Sequence, residues 1–265
     1  MNLLRAHSFI WHYLWLAPNI LLLTLGVLLW RRGMHKLFPA FTAFAILSSF
    51  GQFAEYTADL SPVVSGTNYW RIHSADLILE GILKALLVAE IFAHTLGAYS
   101  SVAKAGKVLI RAVGAVLILA ATFAAAYAPG DSPVAIVSQA HLLEQSIFLI
   151  ETGLLVFIFL FSGYFRIRMP RPVLGIALGL AISACVHLAG WAFIANVAPS
   201  EDVRHLIDYF KAAVYHVCVL IWYYYLLVPQ KLLVPQKEGT NFAVPLTSDH
   251  HLEVWNRELE RLLHS

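Results

Sequence analysis

Apolar residues dominate seven stretches of about twenty positions each: 11–30, 37–56, 74–97, 108–128, 141–165, 173–196 and 205–227. A helix of about 20 apolar residues spans the roughly 30 Å hydrocarbon layer of a bilayer, so each stretch predicts a membrane-crossing helix. The polar connections alternate in charge. Arg31, Arg32 and Lys36 follow the first span, Lys104 and Lys107 the third, Arg166, Arg168 and Arg171 the fifth, and Lys231 and Lys237 the seventh. The other connections hold Asp59 with Arg71, then Asp131, then Glu201 and Asp202 with Arg204. Positive residues stay on the cytoplasmic side, which predicts an N-terminus outside and a C-terminus in the cytoplasm. The first span is too long for a signal peptide, its stronger basic cluster comes after it, and no small-residue cleavage site follows, so it is expected to be retained.

Composition narrows the class further. Of 265 residues, 59% are hydrophobic and 13% charged, and the mean hydropathy is +0.70. No room is left for a separate soluble domain. The expected fold is all-α: a polytopic seven-helix bundle over 1–228, in the inner (plasma) membrane, with a cytoplasmic tail over 229–265. Cys185 and Cys218 both fall in spans and read as free buried thiols. Gly153, Gly175 and Gly179 suggest close helix approach, the last two forming a small-x-x-x-small pair with Ser183 one turn on. Trp11, Tyr13, Trp15, Tyr69, Trp70 and the run Trp222 to Tyr225 read as interfacial anchors.

The chemistry-bearing pattern is a repeated spacing. His73 with Asp76, His141 with Glu144, and His205 with Asp208 each place a carboxylate three positions after an imidazole at the start of a span. With His250 and Glu253 in the tail there are four such pairs, well above chance for 12 His and 16 acidic residues in 265 positions. The third, fifth and seventh spans all begin on the outer side, so the three pairs are expected to share one layer near the extracytoplasmic boundary, each on one helix face. A helix N-terminus favours the carboxylate and disfavours imidazolium, leaving neutral ring nitrogens beside ionised acids. Such a layer can bind a polar ligand or hold a metal through His73, His141 and His205. It can equally do no more than cap its helices.

Deeper in the third span lie Glu80, Lys84 and Glu90, and the second ends with Gln52 and Glu55. A charge at mid-bilayer costs about 2.5–3.5 kcal/mol on insertion scales, which makes each of these a functional candidate. Glu80 and Lys84, at i and i+4 in the favourable order, are expected to neutralise each other. Glu90 is expected nearer the cytoplasmic end, within snorkelling reach. His187 and His216 read as satisfied interior histidines.

Lys211 lies one turn past Asp208, and Tyr69, Trp70, Arg71 and Asp76 lead into the third span. In this respect the chain has a partial similarity to microbial rhodopsins, a resemblance that implies a Schiff-base lysine at Lys211. The acid precedes that lysine by three residues here, where the rhodopsin pattern has four. The chain also resembles a group of bacterial seven-helix membrane proteins with no assigned activity, through Glu90, the run Val219, Leu220, Ile221, Trp222, Tyr225, Leu226 and Leu227, and the tail pattern Leu252, Trp255, Asn256, Leu259, Leu262 and Leu263. That resemblance implies the topology and no mechanism.

The tail opens with a tandem hexapeptide, Leu226 to Lys231 repeated as Leu232 to Lys237, whose prolines stop the helix. Beyond it Leu252, Trp255, Leu259 and Leu262 recur on one face of an amphipathic helix, expected on the inner membrane surface or against a cytoplasmic protein partner. No nucleic-acid partner is expected. The sequence reading is therefore a non-enzymatic sensor or small-ligand-binding module whose candidate site comprises His73, Asp76, Glu80, His141, Glu144, His205, Asp208 and Lys211. Its alternatives are a metal-dependent intramembrane enzyme, a retinal or haem pigment, and a membrane scaffold subunit. Neither metal, retinal nor haem is selected by any motif.

Overall fold

The computed structural model describes residues 8–96, 108, 133–164, 169–197 and 200–228. The predicted fourth span at 108–128, but for residue 108, and the tail from 229 onward lie outside the described residues, as does the side chain of His141.

Six long helices account for the described chain: α1 (Phe9–Arg31), α2 (Pro39–Leu60), α3 (Gly66–Leu96), α4 (Pro133–Tyr164), α5 (Arg171–Val197) and α6 (Glu201–Leu227). Local chemistry sets several of their ends. The Ser8 hydroxyl accepts from the Trp11 N–H at 3.2 Å and caps α1. Gly33, at φ 72°, takes the left-handed conformation that turns the chain after α1. Pro39 opens α2 at a position where a missing N–H costs nothing.

Each helix packs on its neighbour in sequence, and α6 closes the ring on α1. Paired contacts give the directions. Gln52 meets Asp76 while Ala40 meets Glu90, so α2 and α3 are antiparallel. Gly81 faces Ile147 and Lys84 faces Glu151, one turn further along both helices, so α3 and α4 run parallel. Gly179 faces Trp222 and Gly190 faces Lys211, so α5 and α6 are antiparallel. The N-terminal ends of α1, α3, α4 and α6 therefore gather at one end of the ring with the C-terminal ends of α2 and α5.

Four segments are long and apolar enough to cross a membrane: α1, Glu144–Tyr164 within α4, Arg171–Ile194 within α5, and α6. The outward surface agrees, since Ile20, Phe50, Leu86, Leu149, Leu160 and Phe210 are all exposed on the outside of the ring. Water does not tolerate so continuous an apolar surface, whereas acyl chains do. The chain is a helical membrane protein. Helices α2 and α3 match the others in length but carry Gln52 and Glu55, and Asp76, Glu80, Lys84 and Glu90, which lowers their hydropathy.

Beyond the gathered end, the interior is dry. Leu22, Leu25, Phe41, Phe44, Leu87, Leu155 and Ile176 pack around Trp222, all with 1% exposure or less. Trp222 meets Phe41 and Phe44 edge-on at 5.4 and 6.0 Å, and its indole N–H donates to the Ile176 carbonyl at 3.3 Å. Its reading as an interfacial anchor is thus corrected: a carbonyl on α5 satisfies its one polar atom, so the ring buries completely. Gly179 and Gly175 make this possible. A Cβ at Gly179 would lie 2.3 Å from Trp222 Nε1 and one at Gly175 2.2 Å from Tyr225 Cβ. The expected small-residue packing face is present there, while at Gly153 no described residue comes within 4 Å of where a Cβ would lie. Cys218 is buried as expected, but Cys185 faces outward; both are free thiols.

Candidate functional site

At the gathered end, the ring encloses a cavity of about 390 Å³ lined from all six described helices. Six of the eight candidate residues line it: His73 and Glu80 from α3, Glu144 from α4, and His205, Asp208 and Lys211 from α6. Asp76 sits behind the wall. The common end of α3, α4 and α6 brings these residues together, because their N-terminal turns lie at one level.

The partners inside the layer differ from those the spacing implies. His73 does not pair with Asp76; its Nδ1 meets Glu55 Oε1 of α2 at 3.0 Å. Asp76 instead accepts from the Gln52 amide at 3.1 Å and fills the notch left by Gly51, where a Cβ would fall 1.7 Å from Asp76 Oδ1. Gly51 is therefore the residue that allows the carboxylate in. Asp208 and Lys211 do pair, at 2.7 Å, on the rim. Tyr69, ahead of the third span, stacks flat on His73 with centroids 6.2 Å apart. Burial raises the pKa of its hydroxyl, and the charges of Glu55 and Asp59 raise it further, so Tyr69 stays neutral.

Lower down, Lys84 is held as its spacing predicts and by more besides. Glu80 lies 2.9 Å away in the expected i,i+4 pair, and Glu151 of α4, missed in the sequence, approaches at 3.4 Å. The ammonium also sits 3.9 Å from the centroid of Phe148, which stacks on His187 at 4.3 Å. Two carboxylates and a ring face offset the cost of burying a cation at membrane depth. The His187 ring is fixed by Nδ1 against the Ser183 carbonyl at 2.9 Å, and the rest of it lines the cavity.

Trp11 and Trp15, read from the sequence as headgroup anchors, line the cavity wall. They meet edge-on at 4.6 Å, and Tyr56 stacks on Trp11 at 6.0 Å. Their i,i+4 spacing, continued by Pro18 and Asn19, is the signal that places them on one inward face. Asn19 is 4% exposed. Its amide N–H donates to the Trp15 carbonyl at 2.7 Å, and its Oδ1 has no hydrogen-bond partner.

Glu90 is spent on a neighbouring helix. Its two oxygens accept the backbone N–H groups of Ala40 and Phe41 at 2.9 and 3.0 Å, capping α2 from the neighbouring helix. These are donors that a helix start leaves without intrahelical partners, and a carboxylate suits the positive end of the dipole.

Among the described residues, no three His, Cys, Asp or Glu side chains gather closely enough to hold a metal ion. Compared with protein-family models, with curated proteins and with solved structures, the chain matches none. The site is therefore read from its own chemistry: acids and bases in alternation, aromatic walls, and buried polar atoms left over.

Proposed function

We propose that this protein is a seven-span inner-membrane protein, N-terminus outside, that binds a small polar molecule in the α1–α6 cavity and acts as a sensor rather than an enzyme. The observation that carries the reading is the cavity itself. A space of about 390 Å³ lies within the range of small-molecule sites, and its apolar and aromatic walls with a few convergent polar groups have the composition of one. Intramembrane charges are costly and mark function by default, and here Glu80, Lys84, Glu144, Asp208 and Lys211 line a single space. Among the described residues, the apolar packing around Trp222 offers no polar path onward, which favours reception over transport.

The parallel run of α3 and α4 supports a seventh crossing. A chain that leaves α3 at one end of the ring and starts α4 at the other has to traverse the membrane between them, and 108–128 is apolar enough to do so. Reporter fusions test this directly: a reporter after Asp131 is expected on the outer side, and a cytoplasmic result overturns the topology.

The binding reading is tested by native mass spectrometry of the full chain in lipid nanodiscs after exposure to a mixture of amino acids, amines and sugars. The expected result is a small-molecule adduct on the wild type that is absent from Ala212→Trp, which fills the cavity. No adduct on either protein overturns the reading.

A further inference from the structure

We infer that the cavity's occupant is an uncharged molecule whose polar group both accepts and donates, the chemistry of an amide or a hydroxyl, and that Trp15 and Asn19 of α1 hold it. This assignment rests on the ligand-binding reading above and adds the ligand's chemical class.

Two atoms carry the argument. Trp15 and Asn19 both line the cavity, and the indole Nε1 of the first and the side-chain Oδ1 of the second are buried without a hydrogen-bond partner among the described residues. The Asn19 amide nitrogen is spent on the Trp15 carbonyl at 2.7 Å, which ties its head to the preceding turn and leaves the oxygen as what it has to offer. An indole N–H only donates, and an amide oxygen only accepts. The pair therefore calls for one acceptor and one donor together, presented to residues one turn apart on one helix face.

Singly charged groups meet this demand on one side only. An ammonium has donors and no acceptor, so Trp15 Nε1 stays unmet; a carboxylate has acceptors and no donor, so Asn19 Oδ1 does. A buried polar atom left unmet costs more than its hydrogen bond contributes. An amide or a hydroxyl satisfies both, and enters apolar surroundings without the far larger cost of stripping water from an ion. The ionised side chains of the lining reserve no place for a counter-ion either. Lys84 is shared between Glu80 and Glu151, Lys211 is held by Asp208, and Glu144 is engaged as well. A space of about 390 Å³ with Trp11, Leu14, Pro18 and Leu77 in its walls accommodates an apolar body behind the polar group.

The test compares four probes with one apolar body, 3-phenylpropanamide, methyl 3-phenylpropanoate, 3-phenylpropanoate and 3-phenylpropylammonium, titrated calorimetrically into the full chain in nanodiscs. The amide is expected to bind at least about tenfold more tightly than the other three, since the ester keeps its carbonyl but has no donor for Asn19. Asn19→Leu is expected to weaken the amide by about tenfold and to leave the ester within about twofold, a split that misfolding cannot mimic. Trp15→Phe, which removes the donor and keeps an aromatic ring, is expected to weaken amide and ester alike. If the ester, the carboxylate or the ammonium binds as tightly as the amide, or if Asn19→Leu weakens amide and ester equally, the assignment falls while the ligand-binding reading stands. If none of the four binds, both fall.

Discussion

The two halves of this helical ring solve opposite problems with the same six helices. One half buries Lys84, Glu151, Asp76 and Glu55, with Glu80 half-buried, around an open space; the other is apolar but for Glu90, whose carboxylate is spent on the start of α2, and closes on Trp222. Stability and chemistry are therefore separated along the membrane normal. The dry half draws on close packing of large side chains against glycines, so its energy is sensitive to volume. The polar half draws on cross-helix pairs, so its energy is sensitive to charge balance and tolerant of shape.

Substitutions that rank the two halves sharpen or break this comparison. Trp222→Ala is expected to cost the most, about 3–5 kcal/mol, through loss of a fully buried indole and the void it leaves. Gly179→Leu should be comparable, because the new side chain has to displace that indole. Both are read as loss of monodisperse protein and a lowered unfolding temperature in detergent. Next comes Lys84→Met, at about 3 kcal/mol, since it strands Glu151 in the interior. Adding Glu151→Leu is expected to return more than half of that loss, and a double variant no better than the single would break the charge-balance account.

Glu90→Ala is expected to cost about 0.5–2 kcal/mol, the range for a lost N-cap. Its signature is local: faster amide exchange at Ala40 and Phe41, with the cavity end unchanged. Asp208→Asn is the smallest. Its pair is more than half exposed on the acid side, so unfolding should move by less than about 0.5 kcal/mol. If Asp208→Asn destabilised the protein as much as Trp222→Ala, the division between the halves would not hold.

How much of this was legible in the sequence depended on whether a relation lies within one helix or between helices. Glu80 with Lys84 and Asp208 with Lys211 follow from spacing along a helix and are present in the structure. The level at which His73, Glu144 and His205 meet followed from counting spans. Glu151, Gln52 and Glu55 did not, because their roles depend on which helices are neighbours and on rotation about the helix axis, and neither leaves a mark in a local pattern. The same blindness moved Trp222 and Trp15 to the lipid surface: an aromatic near the end of an apolar run has the same sequence signature whether it faces headgroups or a glycine on the next helix. The capping role of Glu90 was hidden for a related reason, since its partners are backbone amides of α2.

Gly51 and Asp76 leave a final mark on how the ring behaves. A carboxylate seated in a glycine notch acts as a detent between α2 and α3, because sliding either helix by one turn drives the oxygens into a side chain at position 48 or 55. These two helices are thereby indexed to a single setting.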